Sequence, residues 1–202
     1  NTGGMGTYSP TPFLSVADFD DIQRAIIDPW LRGCQADGID YRGILYPGIM
    51  LTADGPRVIE FNARFGDPET QSYLPRMKND LVEVLLASIA GTLEEIELEW
   101  REEHCCCVVM ASGGYPGSYA KGKEIHGLDT ASALDGTKVF HAGTAFADGR
   151  IVTNGGRVLG ATAWGSSLRV AVERAYRAVD LISFEGAQIR KDIGQGGLRA
   201  KA

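Results

Sequence analysis

No apolar run in this sequence approaches the roughly 20 residues a helix needs to cross a bilayer, and no cationic segment leading into an apolar stretch opens it. These absences lead us to expect a cytoplasmic protein with no membrane partner. Clusters of Lys and Arg are missing as well: the 20 basic residues are scattered and the formal net charge is −6, so no nucleic-acid partner is expected. Cysteine is scarce, with only four residues, and three of these are the adjacent Cys105, Cys106 and Cys107. Neighbours along a strand point to opposite faces, so this run cannot supply the paired spacing of a zinc site. It reads instead as small buried apolar residues in a reducing compartment. The three histidines, His104, His126 and His141, stand at spacings that fit no metal site. Ser112 is not framed as GxSxG, which excludes a nucleophile elbow, and the glycine-rich segment 112–117 reads as a loop. No internal repeat is present.

What remains is a chain of 202 residues, 44% hydrophobic and 23% charged, long enough to bury the core of one large or two small domains. It opens at Asn1 without Met and passes directly into a glycine-rich segment, from which we expect part of a longer polypeptide. Apolar residues at Phe19, Ile22, Ile26, Ile27, Trp30 and Leu31 are spaced for one helical face, with Asp18 as cap and Pro29 expected to kink or shorten the helix. Tyr41 to Leu51 reads as a strand that turns at Asp54-Gly55 into a second, Arg57 to Asn62, making an antiparallel pair. A helix with Leu81, Leu85, Leu86 and Ile89 on one side is expected after a cap at Asn79 or Asp80, ending near Gly91. Residues 92–103 are acidic and lack a turn-and-strand signal, so a domain boundary is expected near them. The second half is richer in strands, at 105–110, 139–141, 151–153 and 157–163. A closing helix begins at Ser166 or Ser167 and runs to about Ile182. The tail after Ile193 is expected to be poorly ordered. The fold class is α+β.

The densest chemical signal is the segment VIEFNARFGDPETQ, residues 58–71. A strand there places Glu60 and Asn62 on one face and sends Ile59 and Phe61 to the other. A carboxylate and an amide oxygen are hard donors suited to Mg²⁺, which keeps waters and phosphate oxygens as its remaining ligands. Arg64 shares their parity and has the planar fork that grips a carboxylate or phosphate, while Asp67 and Glu69 add negative charge nearby. Spacing alone fits equally well a half-exposed strand with a surface ion pair from Glu60 to Arg64. Likewise Gly3-Gly4-Met5-Gly6 fits either an anion cradle or a flexible terminus, since it lacks the strand and helix that frame a P-loop.

Those segments, together with Tyr8-Ser9-Pro10, Tyr41-Arg42-Gly43, MASGGYPGSY, VFHAGT, VTNGGRVL and RKDIG, follow one another in the order and spacing of the phosphoribosylamine–glycine ligases. The resemblance covers essentially the whole chain, and RFGDPETQ after EFN is highly specific among ATP-grasp proteins. It implies the C-terminal part of an ATP-grasp fold, an antiparallel sheet with helices over residues 1–95. A small strand-rich α+β domain over 96–202 follows. It implies an ATP-grasp carboxylate–amine ligase that uses ATP with Mg²⁺ or Mn²⁺ to join glycine to 5-phosphoribosylamine. Further implied are N-terminal domains of the same polypeptide, without which this chain is expected to be inactive.

Residue by residue, the resemblance implies Glu60 and Asn62 as metal ligands, with Glu60 also meeting the nucleotide, and Met50 beneath the adenine. Arg64 would orient an anion and, with Asp67, take part in catalysis. Gly3, Gly4, Met5 and Tyr8 would shape the pocket for glycine and phosphoribosylamine, to which Arg64 also belongs. Many ATP-grasp relatives carry a further acidic ligand on the preceding strand, where this chain has Gly48. The group that removes the amine proton stays open between Asp67 and Glu69, and Arg157 or Lys191 is in a position to touch substrate.

Overall fold

A computed structural model describes residues 4–200. In chain order these form β1 (Gly6–Ser9), α1 (Val16–Ile22), a π-helical segment (Gln23–Ile27), α2 (Asp28–Ala36), β2 (Tyr46–Thr52) and β3 (Gly55–Asn62). Next come α3 (Thr70–Tyr73), α4 (Leu81–Ala90), β4 (His104–Ala111), α5 (Leu128–Ser132), β5 (Thr137–His141), β6 (Thr144–Ala147) and β7 (Arg150–Thr153). β8 (Arg157–Gly165), α6 (Leu168–Leu181), β9 (Gln188–Ile189) and α7 (Gln195–Arg199) complete the chain. Two compact units result, one of residues 1–11, 67–76 and 100–202, the other of 12–66 and 77–99. The chain crosses between them after Thr11, Gly66, Arg76 and Glu99, so neither unit is one continuous stretch.

The first unit is built on a sheet in the order β1-β4-β8-β5, with β9 also pairing β4, and every pairing is antiparallel. Its centre is β4, fully buried from Cys105 to Ala111. Cys106, Val108 and Met110 face Ala171, Val172, Ala175 and Val179 of α6 in one core. Cys105 reaches instead toward the Gln71 carbonyl in α3. A strand covered on both faces has no polar side, which is why this run shows no alternation. Burial pushes the thiols of Cys105 and Cys107 up to about 12 and raises Cys106 further, so all three stay protonated and inert. Ser167 caps α6 by accepting from the Val170 N–H. The tail departs from expectation: α7 is ordered because Gly197 packs without a side chain against Leu168 and the Tyr8 ring.

The second unit holds the β2–β3 hairpin, α1, α2 and α4. Ser15, not Asp18, caps α1. Asp18 is the third residue of the capping box, its carboxylate accepting from the Ser15 N–H at 2.7 Å. Pro29 does not shorten the helix, which continues to Ala36: the backbone widens before it, with the Asp28 N–H donating five residues back to Gln23. This π segment accommodates the hydrogen bond and the space that the proline ring denies. α4 starts at an Asp80 cap and stops at Gly91 in the left-handed conformation. The expected apolar face of the hairpin is present but uncovered, with Ile59 65% and Phe61 47% exposed. Among the described residues of this unit the only buried hydrophobic is Ile26.

Candidate functional site

The sequence-derived site residues divide between the two units. Met50, Glu60, Asn62 and Arg64 lie in the second, and Gly4, Met5, Tyr8 and Asp67 in the first. Gly3 lies outside the described residues.

On the hairpin, β2 and β3 pair from Tyr46 opposite Asn62 to Thr52 opposite Gly55, with a register shift after Gly48 that leaves Ile59 unopposed. Glu60 and Asn62 point to the same side: the Asn62 amide Nδ2 donates to Glu60 Oε1 at 3.1 Å and to the Tyr46 carbonyl at 3.4 Å. The amide thus presents its nitrogen to Glu60, and joint ligation of one ion by both groups would need the amide turned over. Both oxygens are hard donors, and Glu60 is exposed rather than packed in hydrocarbon. No cluster of three or more His, Cys, Asp or Glu able to hold a metal exists among the described residues. Glu60 and Asn62 could supply two of the hard donors of a magnesium-like ion that takes its remaining ligands from phosphate and water. Gly48 stands opposite Glu60, and a side chain there would meet Glu60 Cγ at 3.3 Å.

Arg64 donates from Nη1 to the Phe65 carbonyl at 2.9 Å, stays exposed, and pairs with no carboxylate among the described residues. The alternative of a Glu60–Arg64 surface ion pair is therefore not what forms. Met50, opposite Arg57, is 54% exposed, so its thioether is not buried in a strand core within this unit.

In the first unit the glycine-rich segment lies on the loop that begins at Asp67. An atom at the missing Gly4 Cβ would stand 2.2 Å from Pro68 Cδ and 2.9 Å from the Asp67 carbonyl, at φ +23°. Thr7 Oγ1 donates to the Pro68 carbonyl at 3.0 Å, and the Met5 carbonyl accepts from the Val109 N–H at 3.1 Å. Tyr8 packs its ring on the core and Gly197, and burial raises its phenol. Met5 lines a cavity of about 510 Å³ with Tyr115, Gln188, Ile189, Arg190 and Lys191. Arg190 is held by Asp192 through two hydrogen bonds, Nε to Oδ1 at 2.8 Å and Nη2 to Oδ2 at 2.5 Å.

Asp67 is engaged at both carboxylate oxygens. Oδ1 accepts from Gln71 Nε2 at 2.9 Å and Oδ2 from Arg157 Nη2 at 2.8 Å. The same guanidinium donates from Nη1 to the Asp67 carbonyl at 2.7 Å and to the Gly4 carbonyl at 3.1 Å. Arg157 thus contacts the two motif segments rather than pointing to open space. No local pattern announces the Asp67–Arg157 pair, because 90 residues separate its members. The one available signal was that Arg157 sits in VTNGGRVL, a block carried by the resemblance. His104 is a strand-end residue whose imidazole is held below its usual range, first by burial and then by the Arg76 charge. His126 and His141 are exposed.

Residues 1–70 match the model of the phosphoribosylglycinamide synthetase ATP-grasp (A) domain, and residues 105–196 that of the phosphoribosylglycinamide synthetase C domain. A phosphoribosylamine–glycine ligase of Caldanaerobacter subterraneus is 49% identical over 97% of this chain, which covers 46% of that relative. The chain thus spans about half the length of this and other curated phosphoribosylamine–glycine ligases that it matches. Among solved structures, a phosphoribosylamine–glycine ligase of Thermotoga maritima superimposes with a TM-score of 0.82 at 36% identity, over 96% of this chain and 47% of its own. The biotin carboxylase domain of a 2-oxoglutarate carboxylase reaches a TM-score of 0.64 at 15% identity, over 96% of this chain and 45% of its own. That likeness speaks for the fold alone: helices with antiparallel sheets of the ATP-grasp kind.

Proposed function

We infer that this chain, which belongs to the phosphoribosylglycinamide synthetase family, supplies part of the active site of an ATP-dependent ligase. The reaction joins glycine to 5-phosphoribosylamine through glycyl phosphate and releases ADP and phosphate, giving glycinamide ribonucleotide for purine biosynthesis. Residues 1–95 would be the end of the ATP-grasp domain and 96–202 the C-terminal domain. The remainder of the polypeptide would bring the other nucleotide-binding parts. Nucleic acid and membrane have no place in this reading, and the compartment would be the cytoplasm. No helix among the described residues is long and apolar enough to cross a membrane.

The observation that supports the reading is the placement of Glu60 and Asn62 on one side of β3, with the amide Nδ2 3.1 Å from Glu60 Oε1, in a segment that matches the ATP-grasp model. A glycine carboxylate attacking a phosphate brings two anions together, and a bound Mg²⁺ or Mn²⁺ would lower that repulsion. Glu60 and Asn62 would hold the ion, and Glu60 would also meet the nucleotide. Met50 offers a polarizable surface to the adenine. Arg64, exposed and with no carboxylate partner among the described residues, would meet the carboxylate of glycine or the transferred phosphoryl group. Gly3, Gly4, Met5 and Tyr8 shape the pocket for glycine and phosphoribosylamine, where Asp67 is the candidate acceptor for the amine proton.

The test is Glu60→Ala in the complete ligase. Turnover is expected to fall roughly 100-fold or more, while the melting temperature stays within about 1 °C because the side chain is exposed. A variant that keeps near-normal turnover sinks the metal assignment. The 202-residue chain alone is expected to be inactive and to bind ATP weakly or not at all by calorimetry. Micromolar affinity would overturn the need for the other half.

A further inference from the structure

We propose that Arg157 is a positioning residue of the ligase, a clasp that orients the Asp67 carboxylate and fixes the glycine-rich loop against it; the proposal rests on the reading above. The geometry behind it lies wholly within the first unit. One guanidinium reaches three acceptors on two segments far away in sequence: the Gly4 carbonyl, the Asp67 carbonyl and Asp67 Oδ2, at 3.1, 2.7 and 2.8 Å. A planar fork with donors in fixed directions can hold these acceptors in one arrangement, which a flexible ammonium cannot. With Gln71 on the other oxygen, both carboxylate oxygens are engaged. Charge-assisted bonds are stronger than neutral ones, and the pair is partly shielded, the Arg157 side chain being 24% and that of Asp67 48% exposed.

The clasp is itself held from behind. Arg157 opens β8 at a register shift, where Met110 pairs with Leu159 and the next residue, Ala111, pairs with Arg157. Such a bulge re-aims the side chain beside it. The preceding turn is pinned by Ser112, whose N–H donates to the Gly156 carbonyl at 2.7 Å and whose hydroxyl donates to the Gly155 carbonyl at 2.8 Å. The Gly143 N–H donates to the Arg157 carbonyl at 2.9 Å. Backbone support on both sides therefore fixes where the guanidinium points, as a preorganised site requires. In the reaction, Arg157 would touch neither substrate. It would hold Asp67 at the place where the amine proton is given up and keep the loop from drifting off the pocket.

The experiment uses the complete ligase with Arg157→Gln, Asp67→Asn and the double variant, measured for kcat and for KM toward glycine and ATP. Each single variant is expected to lose roughly 10- to 100-fold in kcat/KM for glycine, with KM for ATP within about twofold. The double variant is expected to be no worse than the weaker single, because both changes break one unit. Losses that multiply, or an Arg157→Gln enzyme with normal kcat and glycine KM, overturn the proposal. Should Arg157→Gln fail to fold, Arg157→Lys carries the test, expected to fold and to show the same glycine-specific defect. Normal turnover there, or loss of fold in both variants, overturns a positioning role. A wild-type ligase with no glycine-dependent ATP turnover brings down the functional reading itself, a result separate from any variant.

Discussion

Gly48 lies directly across the ladder from Glu60, and a methyl group at its missing Cβ would stand 3.3 Å from Glu60 Cγ. The vacancy on β2 is thus the space in which the proposed metal ligand rests. Gly48→Ala is expected to displace that carboxylate by a few tenths of an ångström. The Mg²⁺ concentration for half-maximal activity of the complete ligase should rise several-fold, since ligand placement at this scale governs affinity. A titration unchanged from wild type would mean that the contact constrains nothing.

The second unit exposes Val82, Leu86 and Ile89 along α4, and Ile59 and Phe61 along β3. Val82, Leu86 and Ile89 share one helical face, and exposed apolar residues grouped in this way mark a surface suited to being covered. In the 202-residue chain, binding of a hydrophobic dye is expected, and Ile89→Lys should reduce it at a stability cost under about 0.5 kcal/mol. In the complete ligase the same change should cost about 2 kcal/mol or more, because there it would bury an unpaired charge. Equal and small effects in the two proteins would show that nothing covers α4.

The hairpin, the buried cysteine strand, an α4 cap at Asn79 or Asp80 and a last helix starting at Ser166 or Ser167 are legible in the sequence, and the structure selects Asp80 and Ser167. Each rests on contacts within a few residues or on a period of two or 3.6. The Ser15 cap was missed because Asp18 is itself a good cap type, and only the returning hydrogen bond shows it to be the third residue of the box. At Pro29 a π turn absorbs the proline without ending the helix, an outcome that the residue pattern does not announce. The fate of Ile59 and Phe61 was illegible for a different reason: alternation says which side is apolar, not what lies against it. In the candidate site, the same-face placement of Glu60 and Asn62 followed from strand parity. The Arg157 clasp, joining residues 90 apart, depends on tertiary structure that no local pattern encodes.

The thiols of β4 give a pH dependence whose sign is fixed. Burial raises Cys105 and Cys107 from 9.0 to about 12 in the folded state, favouring the neutral form. Their contribution is therefore complete below pH 9 and is lost as the pH rises toward 12, because only the unfolded chain can ionise them. The melting temperature is expected to fall between pH 9 and 11, and Cys105→Ala should blunt that fall. A thiol reagent at pH 8 is expected to label Cys34, which is partly exposed, well before the three buried cysteines. Rapid labelling of all four would contradict the buried strand.

Gly4→Ala tests the contact between the two motif segments from the opposite side to Arg157. At φ +23° the residue occupies a region where side chains are strained, and a Cβ would stand 2.2 Å from Pro68 Cδ and 3.1 Å from Arg157 Nη1. The ring and the backbone behind it cannot yield, so the loop itself must lift. Lifting takes the Gly4 carbonyl away from the guanidinium while leaving the Asp67–Arg157 ion pair intact. The expected signature is a raised KM for glycine with a smaller loss in kcat, and no change in KM for ATP. The global melting temperature should move little, because the core under β4 and α6 is not involved. A kcat loss as deep as that of Asp67→Asn, without a glycine KM effect, would show that the loop serves proton transfer rather than the shape of the pocket.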